Sequence, residues 1–148
     1  MAAAAALVAV WLLRVGVATQ DRFPDGAGKS EVVRACGGCH DAEIILANLK
    51  SLAEWSDTLQ DMATQGAEAT PDEWRLIERY IDTNFALIAI NKASADELQL
   101  TMDAAPEIAA AIVKQRQDKG PFKSVDDVKK VKGVDAAKVE ARKNRFVF

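Results

Sequence analysis

Residues Cys36-Gly37-Gly38-Cys39-His40 constrain this chain more than any other stretch. On a helical turn, side chains three apart share a face, so the two thiols point the same way and the imidazole follows beside them. In a Cys-x-x-Cys-His run the thiols can bond the two vinyl groups of one haem and the histidine can ligate its iron. The pentapeptide therefore predicts one covalently bound haem c on Cys36 and Cys39, with His40 as the proximal ligand. Gly37 and Gly38 let the backbone pass close to the porphyrin without an intervening side chain.

Residue supply weighs the rival readings. A zinc site needs four nitrogen or sulfur ligands, and the chain holds two cysteines and one histidine. A thioredoxin-type dithiol needs a strand leading into a helix, but Ser30 to Ala35 before the motif reads as helix with no preceding strand. A structural disulfide between the two cysteines remains as the competing reading.

The first residues bear on where such chemistry happens. Ala2 to Leu13 is an uninterrupted apolar run, broken by Arg14 and followed by the small-x-small pattern Gly16-Val17-Ala18. This predicts a secretory signal over residues 1–18, cleaved near Ala18, and a periplasmic or otherwise extracytoplasmic protein. The run lacks the usual preceding basic residue, so an uncleaved anchor is the alternative, although it falls short of the ~18 residues of a spanning helix. Export agrees with haem c, which is attached outside the cytoplasm. Beyond the signal, residues 20–89 hold six basic against thirteen acidic side chains, and residues 90–148 hold twelve against nine. That change of sign predicts two modules with different surfaces, at residues 20–87 and 88–148.

Gly26-Ala27-Gly28-Lys29-Ser30 has the tail of a P-loop, but Phe23 stands where the pattern needs its first glycine. A glycine turn leading into the cysteine-bearing helix, with Ser30 as its cap, is the better reading. Ile44, Ile45, Leu49 and Leu52 can wall a haem pocket. A helix from Glu54 places Trp55, Leu59 and Met62 on one face, and Gly66-Ala67 ends it. His40 is the only histidine, so another group must take the sixth iron position; Met62 and Met102 compete for it once Met1 has left with the signal. Met62 as a plain core filler is the alternative. Thr70-Pro71-Asp72-Glu73 is a capping box with proline at the first helical position, and Trp74, Ile77, Tyr80 and Ile81 make the buried face behind it. A domain of this size buries only about 60% of its unfolded surface, and a covalent haem would supply the missing core.

Cys-x-x-Cys-His, then Glu54-Trp55, Met62-x-x-x-Gly66-Ala67, Thr70-x-x-Glu73 and Tyr80-Ile81 together resemble the small Met-ligated class I cytochrome c domains. The resemblance covers about Pro24 to Phe85. It implies His40 and Met62 as the axial ligands of a low-spin iron that carries electrons to and from a redox partner protein and performs no bond chemistry. No titrating pair or activated nucleophile suggests an enzyme.

The second module opens on Ser94-Ala95-Asp96-Glu97, another capping box, and echoes it 30 residues later at Ser124 and Asp127. Two helical hairpins follow, with Ile108, Ile112 and Val113 striping the first and Val125, Val128, Val131, Val134 and Val139 the second. Asn91-Lys92-Ala93-Ser94-Ala95-Asp96-Glu97-Leu98, Gly120-Pro121-Phe122-Lys123-Ser124-Val125 and Val131-Lys132-Gly133-Val134 resemble the tandem helix-hairpin-helix domain of competence-type DNA-uptake receptors. In DNA-binding members a Gly-x-Gly turn lets backbone amides hold a phosphate. Here Asp135 replaces the second glycine of one turn, and the other reads as a shorter, glycine-free Met102-Asp103-Ala104-Ala105. Both cradles are expected to be weakened, because an aspartate caps the amides itself and repels phosphate. Lys129, Lys130, Lys132, Lys138, Arg142, Lys143 and Arg145 still form a basic end that could hold DNA weakly and without sequence preference through residues 90–148.

The sequence thus predicts an all-α chain: a cytochrome c-like helical domain followed by a tandem helix-hairpin-helix domain. Its expected role is electron transfer, with the second module docking to a partner. The competing role is DNA binding with a structural or redox-sensing haem, and a peroxidase-like haem comes third.

Overall fold

The computed structural model describes residues 22–41 and 43–148; the expected signal segment lies outside them. Among the described residues, eight α-helices succeed one another: α1 Lys29–Cys36, α2 Glu43–Ala47, α3 Leu52–Thr64, α4 Pro71–Phe85, α5 Ala95–Met102, α6 Pro106–Lys119, α7 Val125–Lys129 and α8 Ala136–Ala141. Two short strands, β1 Ile88–Ala89 and β2 Phe146–Val147, pair in parallel and are the exception to an all-helical chain.

Local chemistry sets most of these boundaries. Thr70 and Glu73 cap α4 reciprocally, with Pro71 at its first turn, and Ser94 and Glu97 do the same for α5. A third such box, Ser51 with Glu54, starts α3 two residues before the start expected from apolar spacing. Ser30 does not cap α1. Gly28 holds that place in a left-handed conformation, and a Cβ there would sit 2.4 Å from the Leu76 carbonyl oxygen and 2.6 Å from Tyr80 Cβ. Only glycine lets α1 start this close to α4.

Two apolar clusters form. One joins Phe23, Val32, Cys36, Ile45, Trp55, Leu59, Ile77, Tyr80, Ile81 and Phe85. The other joins Ile88, Ile90, Leu98, Met102, Ala109, Ile112, Phe122, Val128, Val131 and Val139. Ile77, Tyr80 and Ile81 are all buried, as the α4 pattern requires, and the Tyr80 hydroxyl donates to the Pro24 carbonyl at 2.5 Å. Met102 belongs to the second cluster.

The join between the clusters is structured. Leu87 N–H donates to the Lys50 carbonyl at 2.7 Å, and Ile90 N–H to the Val147 carbonyl at 3.2 Å. Arg145, in a 3-10 turn after α8, is buried and spends its guanidinium on main-chain carbonyls. Nε donates to Ala86 at 2.7 Å, Nη1 to Thr83 at 2.7 Å, and Nη2 to Asp82 at 3.2 Å and Thr101 at 2.9 Å. These carbonyls include the unpaired ones at the end of α4, where a cation also complements the helix dipole. Burial lowers the Arg145 pKa to about 10, with Arg142 adding to the effect and Asp82 opposing it. Arg145 therefore belongs to the joint and not to the exposed basic end.

Candidate functional site

The pentapeptide sits where α1 stops. Val32, Ala35 and Cys36 form the buried face of α1, while Arg34 on the outer face reaches Glu73 at 2.7 Å and the Glu68 carbonyl at 3.3 Å. Cys36 is the last helical residue. Gly37 N–H closes onto Val33 O at 3.0 Å, and a Cβ at Gly37 would lie 2.5 Å from that oxygen. The chain then turns, with Cys39 N–H donating to Cys36 O at 3.4 Å. Cys36 is buried in the first cluster and Cys39 is exposed; both are free thiols.

This placement argues against a reactive dithiol. Such a cysteine is activated at a helix N-terminus, where the dipole lowers its pKa. Cys36 lies at a helix C-terminus, and burial pushes its thiol up, with Cys39 adding to the effect. His40 is half-buried, its Nδ1 lying 3.4 Å from the Asp41 carbonyl. A proton donated from Nδ1 there leaves the Nε2 lone pair free for a metal.

Beside it, Ile45 is buried, Leu52 half-buried, and Ile44 and Leu49 exposed, so the expected apolar wall is partly open to solvent. On α3, Trp55 and Leu59 are buried and Met62, one turn on, is half-buried. Lys50 Nζ lies 5.4 Å from the centre of the Trp55 ring and donates to Thr58 Oγ1 at 2.6 Å. Trp55 is 4% exposed, yet its buried Nε1–H has no acceptor among the described residues. A buried donor without a partner costs about 1–3 kcal/mol and marks a place for a missing acceptor. The residues that would hold a haem are Cys36, Cys39 and His40, and Cys36 shares the first apolar cluster with Trp55; Met62 is half-buried and is not among the residues packed against that cluster. Sequence reasoning placed Trp55 on the correct face but did not foresee its orphaned donor. No cluster of three or more histidine, cysteine or acidic side chains suited to a metal ion occurs among the described residues.

In the second half, three residues separate α5 from α6 and six separate α7 from α8, so the first turn is the shorter, as expected. Asp103 ends α5 with φ 51° and ψ 49°, and Gly133 has φ 88°; each stands three residues before the first residue of the next helix. Asp103 is thus the counterpart of Gly133, 30 residues away, held in the left-handed region without being glycine. Asp135 behaves as expected, accepting from Ala137 N–H at 2.9 Å and Lys138 N–H at 3.1 Å. Ser124 accepts from Asp127 N–H, but the Asp127 carboxylate turns to Lys123 N–H, so this box is half formed.

Residues 83–147 match the helix-hairpin-helix motif. No solved structure matches the chain. The helix-hairpin-helix match begins inside α4 and so includes the carbonyls of Thr83 and Ala86 that Arg145 grips. Its turns face each other across a cavity of about 180 Å³ lined by Asp103, Ala105, Ile108, Gly133, Lys138 and Arg142 among others. Lys138 Nζ crosses to the first turn, bonding Asp103 Oδ2 at 2.8 Å and its carbonyl at 3.3 Å. Lys129 pairs with Glu140 at 2.5 Å and Asp126 at 3.1 Å, Lys143 with Glu140 at 2.8 Å, and Lys130 with Asp127 at 3.1 Å. Hydrogen bonds from Lys129 and Lys143 pull Glu140 down to about 2.

Proposed function

We propose that this chain is an exported monohaem c-type cytochrome that transfers electrons, with its helix-hairpin-helix module docking it to a partner. The observation that carries the reading is the end of α1: a buried Cys36, an exposed Cys39 and the chain's only histidine, beside a core whose Trp55 lacks an acceptor. When bound, haem c supplies a one-electron ferrous/ferric couple. Cys36 and Cys39 would hold it as thioethers, each S–H adding across a vinyl double bond, so that no atom would leave and both sulfurs would have to be reduced beforehand. His40, through Nε2, and Met62, through its sulfur, are the residues that would hold its iron. So held, the group would pass electrons and would carry out no bond chemistry. An acidic first half speeds encounter with a basic face on the redox partner, more so at low salt.

The test is a pyridine haemochrome spectrum and intact mass of the natively exported protein. One thioether-linked haem per chain is expected, and a polypeptide of unmodified mass overturns the reading. Met62→Ala is expected to abolish the six-coordinate low-spin signature; an unchanged visible and near-infrared spectrum removes Met62 from the ligand set.

The helix-hairpin-helix match favours a second reading, because this motif is typical of nucleic-acid binding. It requires the full chain to hold duplex DNA with a salt-dependent affinity, and gel shifts that detect no binding at low salt eliminate it.

A further inference from the structure

We infer that Asp103 and Glu140 are charge locks that keep this helix-hairpin-helix scaffold off nucleic acid. The inference is independent of the haem, since it concerns only residues of the second half.

Three observations carry it. Asp103 adopts a backbone conformation that glycine takes without penalty at the equivalent Gly133, so a side chain at this position comes at a conformational cost. Its carboxylate receives Lys138 from 35 residues away, binding the two hairpins across the mouth of the cavity between them. Glu140, on α8, receives both Lys129 and Lys143. Two carboxylates therefore engage three of the lysines that made the sequence look able to bind a polyanion.

Field strength matters more than any single pair, because exposed ion pairs are individually worth ~1 kcal/mol or less and a phosphate could displace them. Around the second hairpin, the seven cations Lys123, Lys129, Lys130, Lys132, Lys138, Arg142 and Lys143 stand against five carboxylates: Asp103, Asp126, Asp127, Asp135 and Glu140. Their net charge is only plus two, too little to concentrate a duplex around them. Neutralising Asp103 and Glu140 raises it to plus four, releases Lys138 and Lys143 from their carboxylates for phosphates, and leaves Lys129 with Asp126 alone. Each new phosphate contact steepens the log–log salt slope by about 0.9.

The experiment measures fluorescence anisotropy of a labelled short duplex with the full chain and with Asp103→Asn, Glu140→Gln and both together. Asparagine tolerates the left-handed conformation and glutamine replaces an exposed side chain, so the helices are retained; far-UV circular dichroism checks this, and Asp103→Gly replaces Asp103→Asn where it fails. The double variant is expected to bind at least about tenfold tighter than the wild type, with a salt slope steeper by about 2. Adding Lys138→Ala is expected to remove about one unit of that slope. A folded double variant that binds no more tightly, or a wild type that already binds with the double variant's slope, overturns the inference. The haemochrome result affects neither outcome.

Discussion

Asp82 shows how one side chain can make stability depend on pH. It lies in the last full turn of α4, buried beside the joint, and burial followed by repulsion from Glu78 raises its pKa from 3.8 to about 6, with Arg145 opposing. A group whose folded pKa exceeds its unfolded value binds protons more tightly in the folded state. Its penalty is absent below about pH 4 and is felt in full above about pH 6. Asp82→Asn is therefore expected to raise unfolding free energy by about 2 kcal/mol at pH 7.5 and to change it little near pH 4, as read from urea midpoints of the full chain at both values. Thr70→Ala removes half of a capping box at an exposed helix start and is expected to cost about 1 kcal/mol at either pH, by the same measurement. The two substitutions also differ in legibility. Thr70 and Glu73 announce themselves by spacing alone, whereas the burial of Asp82 depends on a side chain 63 residues further along.

At the level of elements, boundaries were readable wherever a cap carried the signal. Ser94 with Glu97 and Thr70 with Glu73 mark α5 and α4 in the sequence as they do in space. Ser51 with Glu54 has the same spacing, but apolar periodicity drew attention to Trp55 instead and put the start of α3 too late. The first hairpin turn is short and free of glycine, as its sequence reads, but without a glycine Asp103 gave no sign of a left-handed residue, and only the 30-residue echo of Gly133 could have revealed it. Gly28 tests how closely elements must approach. Gly28→Ala forces a Cβ into the Leu76 carbonyl and is expected to lower the thermal midpoint by several degrees, a loss of about 1–3 kcal/mol.

For the molecule as a whole, the question is whether its two clusters unfold together. Trp55 and Trp74 both lie in the first half, so their fluorescence reports that half alone, while far-UV circular dichroism reports both. With Arg145 in place, the two probes are expected to give one coincident urea transition. Arg145→Met leaves carbonyls of Asp82, Thr83, Ala86 and Thr101 without their donor and is expected to cost about 3 kcal/mol and separate the transitions. Coincident transitions in that variant refute the coupling. The charge division of the sequence anticipated two differently surfaced halves but gave no hint of this joint, because the arginine was counted among cations expected to face solvent. Since every acceptor it uses is main chain, the clasp itself asks for no particular side chain at 82, 83, 86 or 101. Its mutational constraint thus falls on the arginine alone, while Asp82, Ala86 and Thr101 answer only to their own burial.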